Sequence, residues 1–285
     1  MSTEETIWLL CNAESGSNSD AALQALETYC CDHGFNISRR ICFPDESLPK
    51  ASELEEAGID RLAIFTGDGT LNAAITNLYG WSGSILVLPG GTMNLLCKRL
   101  HGDDADLETI VSRIATGAFR KVRPNVARCE AGDALAGLLV GPATAWGDVR
   151  EAMRDVDVAA VSEEASDAVV QTAGGDKIHC LQPELGRKDG YPLVEITPSH
   201  RGMQLDGYYA DTTTDYLRHG FSLLRRRFRE GPHERLGLVD EMVFESEQKR
   251  DIPVLVDGEK GKVSAGSAFT VAECAVDLLA THHGY

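Results

Sequence analysis

Thr66-Gly67-Asp68-Gly69-Thr70-Leu71-Asn72 follows the apolar run Leu62-Ala63-Ile64-Phe65 and leads into a helix-like segment, Ala73 to Tyr79. A second glycine-rich loop, Pro89-Gly90-Gly91-Thr92-Met93-Asn94, follows Ile85-Leu86-Val87-Leu88 in the same way. A strand that ends in a glycine-rich turn and opens a helix is suited to phosphate. Glycine lets the backbone come close to an anion, and the first helical turn offers unpaired N–H groups and the positive end of a dipole. One such loop is weak evidence. Two in succession, one with an acid between its glycines, point to a nucleotide phosphate with a metal ion nearby.

The flanking sequence repeats the same strand-and-helix alternation. Ile7–Cys11 reads as a strand, Ser15–Asn18 as a turn, and Asp20–His33 as a helix with Leu23, Leu26 and Cys30 at helical spacing. Phe35–Phe43 reads as a second strand and Lys50–Ala57 as a second helix, and Leu107–Thr116 is amphipathic through Leu107, Ile110, Val111 and Ile114. Such alternation predicts a doubly wound, largely parallel α/β sheet over residues 1–123, which binds its ligand at the C-terminal strand ends. From about Val122 the pattern turns to strands: Val126–Glu130, Ala136–Val140, Lys177–Leu181, Leu193–Thr197, Leu238–Phe244, Ile252–Val256 and Phe269–Glu273. Two helices interrupt them, near Asp148–Arg154 and at Asp215–Phe228, the latter ending in an arginine cluster that suits a helix C-terminus. Residues 124–285 are therefore expected to form a second, β-rich, sandwich-like domain, whose extreme C-terminus is free to pack back on the first.

With 285 residues, 43% hydrophobic and 25% charged, the chain has the composition of an ordinary globular protein. A net charge of −17 argues against a nucleic-acid partner, because no basic surface is available to neutralise phosphates. No apolar run approaches the roughly 20 residues of a membrane span, and the acidic Met1-Ser2-Thr3-Glu4-Glu5 leads straight into a strand, so neither a signal peptide nor a transmembrane segment is expected. The eight cysteines show no CxxC spacing and read as plain thiols in a reducing cytoplasm.

Taken in order, the loops resemble the diacylglycerol kinase catalytic-domain family of lipid kinases, which includes sphingosine and ceramide kinases and bacterial lipid kinases. Asn12-Ala13-Glu14-Ser15-Gly16 stands where that family opens with Asn-Pro-x-Ser-Gly, Thr66–Asn72 resembles its Gly-Gly-Asp-Gly-Thr-x-Asn, and Pro89–Asn94 its Pro-x-Gly-Thr-x-Asn. Further on, Leu205-Asp206-Gly207-Tyr208 resembles a Ser-Asp-Gly turn, and Val256-Asp257-Gly258-Glu259 an Asp-Gly-Glu motif.

The resemblance implies ATP and Mg²⁺. Phosphoryl transfer needs charge neutralisation and in-line positioning. The amides of Gly67, Gly69 and Thr70 would hold phosphate oxygens, with Asn12, Ser15, Gly16, Asn72, Gly91, Thr92 and Asn94 completing the nucleotide site. Asp68 among anions is expected to hold Mg²⁺ through water, with a turn or helix-cap role as the lesser alternative, since aspartate is also favoured there. Glu259 is implied as the base for the acceptor hydroxyl and Asp257 as its orienter or alternative, with an ordinary hairpin turn as the lesser alternative. Asp206 resembles a position that binds a structural Mg²⁺ with carbonyls near Met203 and Tyr208. The implied acceptor is a lipid hydroxyl, diacylglycerol-like or sphingoid, met by a cytoplasmic protein peripherally at the membrane surface, alone or as a homodimer.

Ala73 departs from the family, which has an acid after the Asn of the second motif. Two rival readings follow: an NAD kinase-like small-molecule kinase, and a catalytically weak module that binds nucleotide or lipid for regulation. The first also expects an Asn-Glu pair in a later loop, and the chain contains no such dipeptide.

Overall fold

Apolar runs such as Ile7–Cys11 and Leu62–Phe65 have no polar face to turn to water, so they need cover on both sides. In the computed structural model, which describes residues 4–12, 20–145, 176–209 and 233–282, they have it: both runs are buried throughout. The chain divides into two units, Met1–Pro124 with Glu273–Tyr285, and Asn125–Ala272.

The first unit contains β1 (Glu5–Asn12), α1 (Asp20–Asp32), β2 (Phe35–Phe43), α2 (Ala51–Glu56), β3 (Arg61–Thr66), α3 (Asp68–Asn77), β4 (Ser84–Pro89), α4 (Leu95–His101), α5 (Leu107–Ala115) and β5 (Arg120–Val122). The second contains β6 (Asn125–Cys129), β7 (Gly132–Ala134), β8 (Leu138–Val140), β9 (Ile178–Gln182), β10 (Glu184–Leu185), β11 (Leu193–Ser199), β12 (Gly202–Tyr208), β13 (His233–Val239), β14 (Glu241–Ser246), β15 (Ile252–Val256), β16 (Glu259–Val263) and β17 (Ala268–Glu273). The last strand, β18 (Asp277–Ala280), returns to the first unit.

The sheet of the first unit has the order β2-β1-β3-β4-β18-β5. Its first five strands pair in parallel, and β5 joins antiparallel through Leu278 opposite Val122. Helices connect the parallel strands, as a doubly wound sheet requires. α5 shows the local logic: Ile110, Val111 and Ile114 form its buried stripe, and the Asp106 carboxylate caps it by accepting from Thr109 N–H at 2.8 Å. Among the described residues no helix is long and apolar enough to cross a membrane.

The second unit is a sandwich of two six-stranded sheets, ordered β10-β9-β14-β17-β6-β7 and β13-β12-β11-β8-β15-β16. One core unites them. Ala127, Ile178, Phe244 and Phe269 from the first sheet pack with Val140, Ile196, Leu205 and Val254 from the second.

The structure differs from the sequence reading at several elements. Leu238–Phe244, read as one strand, breaks at Asp240 into β13 and β14, which lie in different sheets. Asp206-Gly207, read as a turn, lies inside β12 and pairs on both sides, with Glu195 and with Arg235. Arg120–Val122, for which no element was expected, is a short strand, and α3 starts at Asp68 rather than after the loop. The expected helices at Asp148–Arg154 and Asp215–Phe228 lie outside the described residues.

α4 is pinned from below by His101, which is 1% exposed. Its Nε2 lies 3.0 Å from the Val87 carbonyl oxygen and its Nδ1 3.0 Å from the Thr281 hydroxyl. A carbonyl only accepts, so Nε2 carries the proton and Nδ1 of the neutral ring accepts from Thr281. Burial pushes the ring's pKa down to about 4, and the Arg113 charge adds to this. The unfolded ring titrates near its ordinary 6.5, so between these values the unfolded state binds more protons. The stability that the neutral ring supplies is whole above pH 6.5, falls as pH drops through the window, and levels off below about 4. The difference in unfolding free energy between wild type and His101→Asn should accordingly shrink by about 3 kcal/mol from pH 7 to pH 4 in denaturant titrations. A constant difference would show that the ring is not held neutral.

Candidate nucleotide-phosphate site

β3 and β4 are adjacent and in register to their ends, with Thr66 opposite Pro89. The two glycine-rich turns therefore emerge side by side. Their contact explains the glycines of the second turn: a Cβ on Gly90 would collide with the Phe65–Thr66 peptide, and one on Gly91 would sit 2.6 Å from the Gly67 Cα. These glycines serve loop-on-loop packing.

Each turn opens a helix, and the two helix starts are finished differently. At α4 the N-cap Asn94 adopts a left-handed conformation (φ 52°), which asparagine tolerates. Its amide closes a ring on Gly91, with Oδ1 accepting from Gly91 N–H and Nδ2 donating to Gly91 O, both at 2.8 Å. The anion at this helix start is Asp68, whose Oδ1 accepts from Leu95 N–H at 3.0 Å. The N–H groups of Leu96 and Asn94 also stabilise the carboxylate. Burial pushes the Asp68 carboxyl above the usual carboxylate range, against these N–H groups and the Lys98 ammonium, which pull it down. Asp68 is thus a helix-cap residue, but of the neighbouring helix and not of its own.

At α3 the N-cap is Gly67, extended at φ −75° and ψ 166°, which has no side chain with which to cap the helix. Asp68, Gly69 and Thr70 form its first turn, and the first helical bond is donated by Leu71 N–H to Gly67 O at 2.9 Å. Asn12, at the end of β1, fixes this turn by donating from Nδ2 to Thr70 Oγ1 at 2.9 Å. The first turn of α3 therefore presents backbone N–H groups at a positive helix end. Asn72 lies on the same helix, Thr92 is exposed in the second turn, and Ala73 is exposed where the family has an acid. Of the expected nucleotide residues, Asn12, Gly67, Asp68, Gly69, Thr70, Asn72, Gly91, Thr92 and Asn94 lie at these strand ends and helix starts, while Ser15 and Gly16 lie outside the described residues. Lys98 escaped the sequence reading. Its only signal is position: one helical turn after Asn94, it faces the acid of the other loop.

The remaining candidates belong to the second unit. Asp257 and Gly258 form a two-residue hairpin between β15 and β16, with φ 48° and 97° and Val256 opposite Glu259. Positive φ at both positions is the demand that Asp-Gly meets best. The Asp257 carboxylate accepts from Leu135 N–H at 2.7 Å through Oδ2, and from Ala136 N–H at 2.9 Å and Gly137 N–H at 2.8 Å through Oδ1. Three backbone donors thus anchor the hairpin through this carboxylate. Glu259, next to it, is exposed. Asp206 is buried on β12, and its carboxylate faces Arg235, whose Nε lies 3.6 Å away. β12 pairs on both sides at this point, and its ladder to β13 is irregular between Leu205 and Asp206. Among the described residues no three His, Cys, Asp or Glu side chains gather as a metal site.

Two stability predictions follow from these clamps, both in the absence of nucleotide. Asp68→Ala should lower unfolding free energy by about 1–2 kcal/mol, as loss of a helix cap does, with Asp68→Asn recovering part. Asp257→Ala, which leaves three donors without their acceptor, should cost about 3 kcal/mol. Calorimetry or denaturant titration that finds either variant as stable as wild type would remove the corresponding clamp.

Residues 6–125 match the model of the diacylglycerol kinase catalytic domain. A diacylglycerol kinase structure from Bacillus anthracis strain Sterne matches with a TM-score of 0.59 at 12% identity, covering 100% of both chains. A candidate diacylglycerol kinase of the same strain gives 0.57 at 13% identity, again over 100% of both, and another gives 0.55 at 15%, over 98% of this chain and 97% of that one. Comparison with curated proteins gives no match. The resemblance carried by the loops thus holds at two levels: residues 6–125 match the diacylglycerol kinase catalytic domain in sequence, and the whole chain shares the fold of these bacterial structures.

Proposed function

We propose that this protein is an ATP-dependent lipid kinase that transfers the γ-phosphoryl group to a lipid hydroxyl. The observation that carries the reading is the inequality of the two helix starts. Asp68 fills the one at α4, which leaves the first turn of α3 as the place for a nucleotide phosphate. A carboxylate on the N–H groups of one terminus, with the first turn of the other left to a ligand, makes a directional anion site. The family match over residues 6–125 supports ATP as the donor.

In this reading the α3 amides of Asp68, Gly69 and Thr70 bind phosphate oxygens, and Asn12 holds Thr70 so that the turn keeps its shape when empty. Lys98 adds positive charge beside the site. Mg²⁺, when bound, neutralises the phosphate charge that develops in transfer. It keeps most of its waters and asks for few carboxylates, so Asp68 alone, reaching it through water, fits the role. Asp206 is the candidate for a separate, structural Mg²⁺. In the second unit, Glu259 is the residue assigned to take the acceptor proton, and Asp257 fixes the hairpin that carries it.

The acceptor class is a diacylglycerol-like or sphingoid alcohol, met at a membrane surface. Purified protein with Mg²⁺ and labelled ATP, presented in mixed micelles with diacylglycerol, monoacylglycerol, sphingosine, ceramide and undecaprenol, should phosphorylate at least one of them. Glu259→Gln should lower kcat by about 10²–10⁴-fold while ATP affinity is unchanged. ATP binding without phosphorylation of any acceptor would favour the regulatory reading that exposed Ala73 suggests. An unchanged kcat in Glu259→Gln would remove the base assignment.

A further inference from the structure

Cys11 and Cys42 lie on adjacent parallel strands, directly opposite each other in register. Their sulfurs are 3.6 Å apart. Cys11 is 2% exposed, whereas Cys42 is only partly buried and open to a small oxidant. Neighbouring strands are about 4.8 Å apart, which falls inside the Cα separation of roughly 4.4–6.8 Å that a disulfide spans.

What lies on the other side of Cys11 gives the pair a consequence. β1 sits between β2 and β3, and Cys11 is opposite both Cys42 and Phe65. The next residue, Asn12, donates to Thr70 in the first turn of α3. A bond of roughly 2.0 Å requires the sulfurs to close by about 1.5 Å. The usual Cα separation of a disulfide, about 5.5–6 Å, exceeds the spacing of neighbouring strands, so the link shifts the end of β1 that carries Asn12. We propose that Cys11 and Cys42 form a reversible disulfide that loosens the Asn12–Thr70 contact and so makes the α3 phosphate site redox-sensitive.

Hydrogen peroxide serves as the oxidant. The Cys42 sulfur attacks one peroxide oxygen; the S–O bond forms as the O–O bond breaks, and the displaced oxygen leaves as water with the thiol proton. The Cys11 sulfur then attacks the Cys42 sulfur; the S–S bond forms as the S–O bond breaks, and the leaving hydroxide takes the Cys11 proton as a second water. Two thiols lose two electrons and one peroxide becomes two waters. Burial and the Cys42 thiol push the Cys11 pKa up to about 12, which fits Cys42 as the sulfur that meets the oxidant. A transient sensing disulfide is the kind that a reducing compartment permits.

The effect on nucleotide rests on the proposed function, so the test separates the two. Full-length protein with the exposed Cys31 replaced (Cys31→Ser) is treated with hydrogen peroxide and digested without reductant. The inference expects a linked peptide pair containing Cys11 and Cys42, abolished by Cys42→Ser and released by reductant. If both thiols stay separately alkylatable at a dose that oxidises Cys31 in the unsubstituted chain, the disulfide is overturned. Hydrogen exchange then reads the coupling without nucleotide. Amides of α3 from Leu71 to Ile75 should exchange roughly fivefold faster in the oxidised chain, as loss of one hydrogen bond implies, and unchanged exchange overturns the coupling. ATP affinity should fall by a similar factor. A chain that links and exchanges as expected but binds no ATP in either state supports the redox pair and contradicts the kinase reading.

Discussion

The carboxylate of Asp68 on the first turn of α4 is the interaction around which the site is arranged. Parallel neighbours β3 and β4 end level with each other, so two positive helix ends emerge together. Left alone they would repel, and both would attract anions. Asp68 belongs to the first turn of α3 but reaches across to α4, with Lys98 near it. One helix end is satisfied internally, and the other keeps its N–H groups. The Gly91–Asn94 ring and the close approach of Gly91 to Gly67 lock the loops in this relation.

In the proposed reading this arrangement suits the first unit to phosphoryl chemistry, where positioning and electrostatics outweigh covalent steps. Catalytic phosphate sites must be shaped before the ligand arrives, and here the shaping groups are neutral or internally paired. Asn12 to Thr70 ties strand to helix, and Asp68 to Leu95 ties helix to helix. The second unit uses the same device for a different purpose. Asp257 accepts from three consecutive N–H groups and so fixes the hairpin that carries Glu259. In both motifs the aspartate also holds backbone N–H groups from a distant segment.

The parts of the fold that were legible are those governed by local patterns. The buried runs of β1, β3 and β4, the stripe of α5 and the Asp-Gly hairpin all follow from short-range periodicity or turn chemistry. The parts that were not legible depend on distant partners. Leu238–Phe244 is one apolar run in sequence, and only packing decides that Asp240 hands it from one sheet to the other. Arg120–Val122 becomes a strand because Leu278–Ala280 returns from the far end of the chain to pair with it. Asp206-Gly207 has turn chemistry, yet Arg235 and the ladders of β12 hold it extended. The candidate site behaved alike: the loops and Thr70 were readable, while the partner of Asp68 was a backbone N–H 27 residues away.

The most direct measurement is a titration of the isotopically labelled full-length protein with MgATP, followed by backbone amide NMR. The account predicts the largest shifts at Gly69 and Thr70 in the first turn of α3, with Leu95 and Leu96 little changed because Asp68 still holds them. The largest shifts at Leu95 and Leu96, or no shift at either helix start, would contradict it.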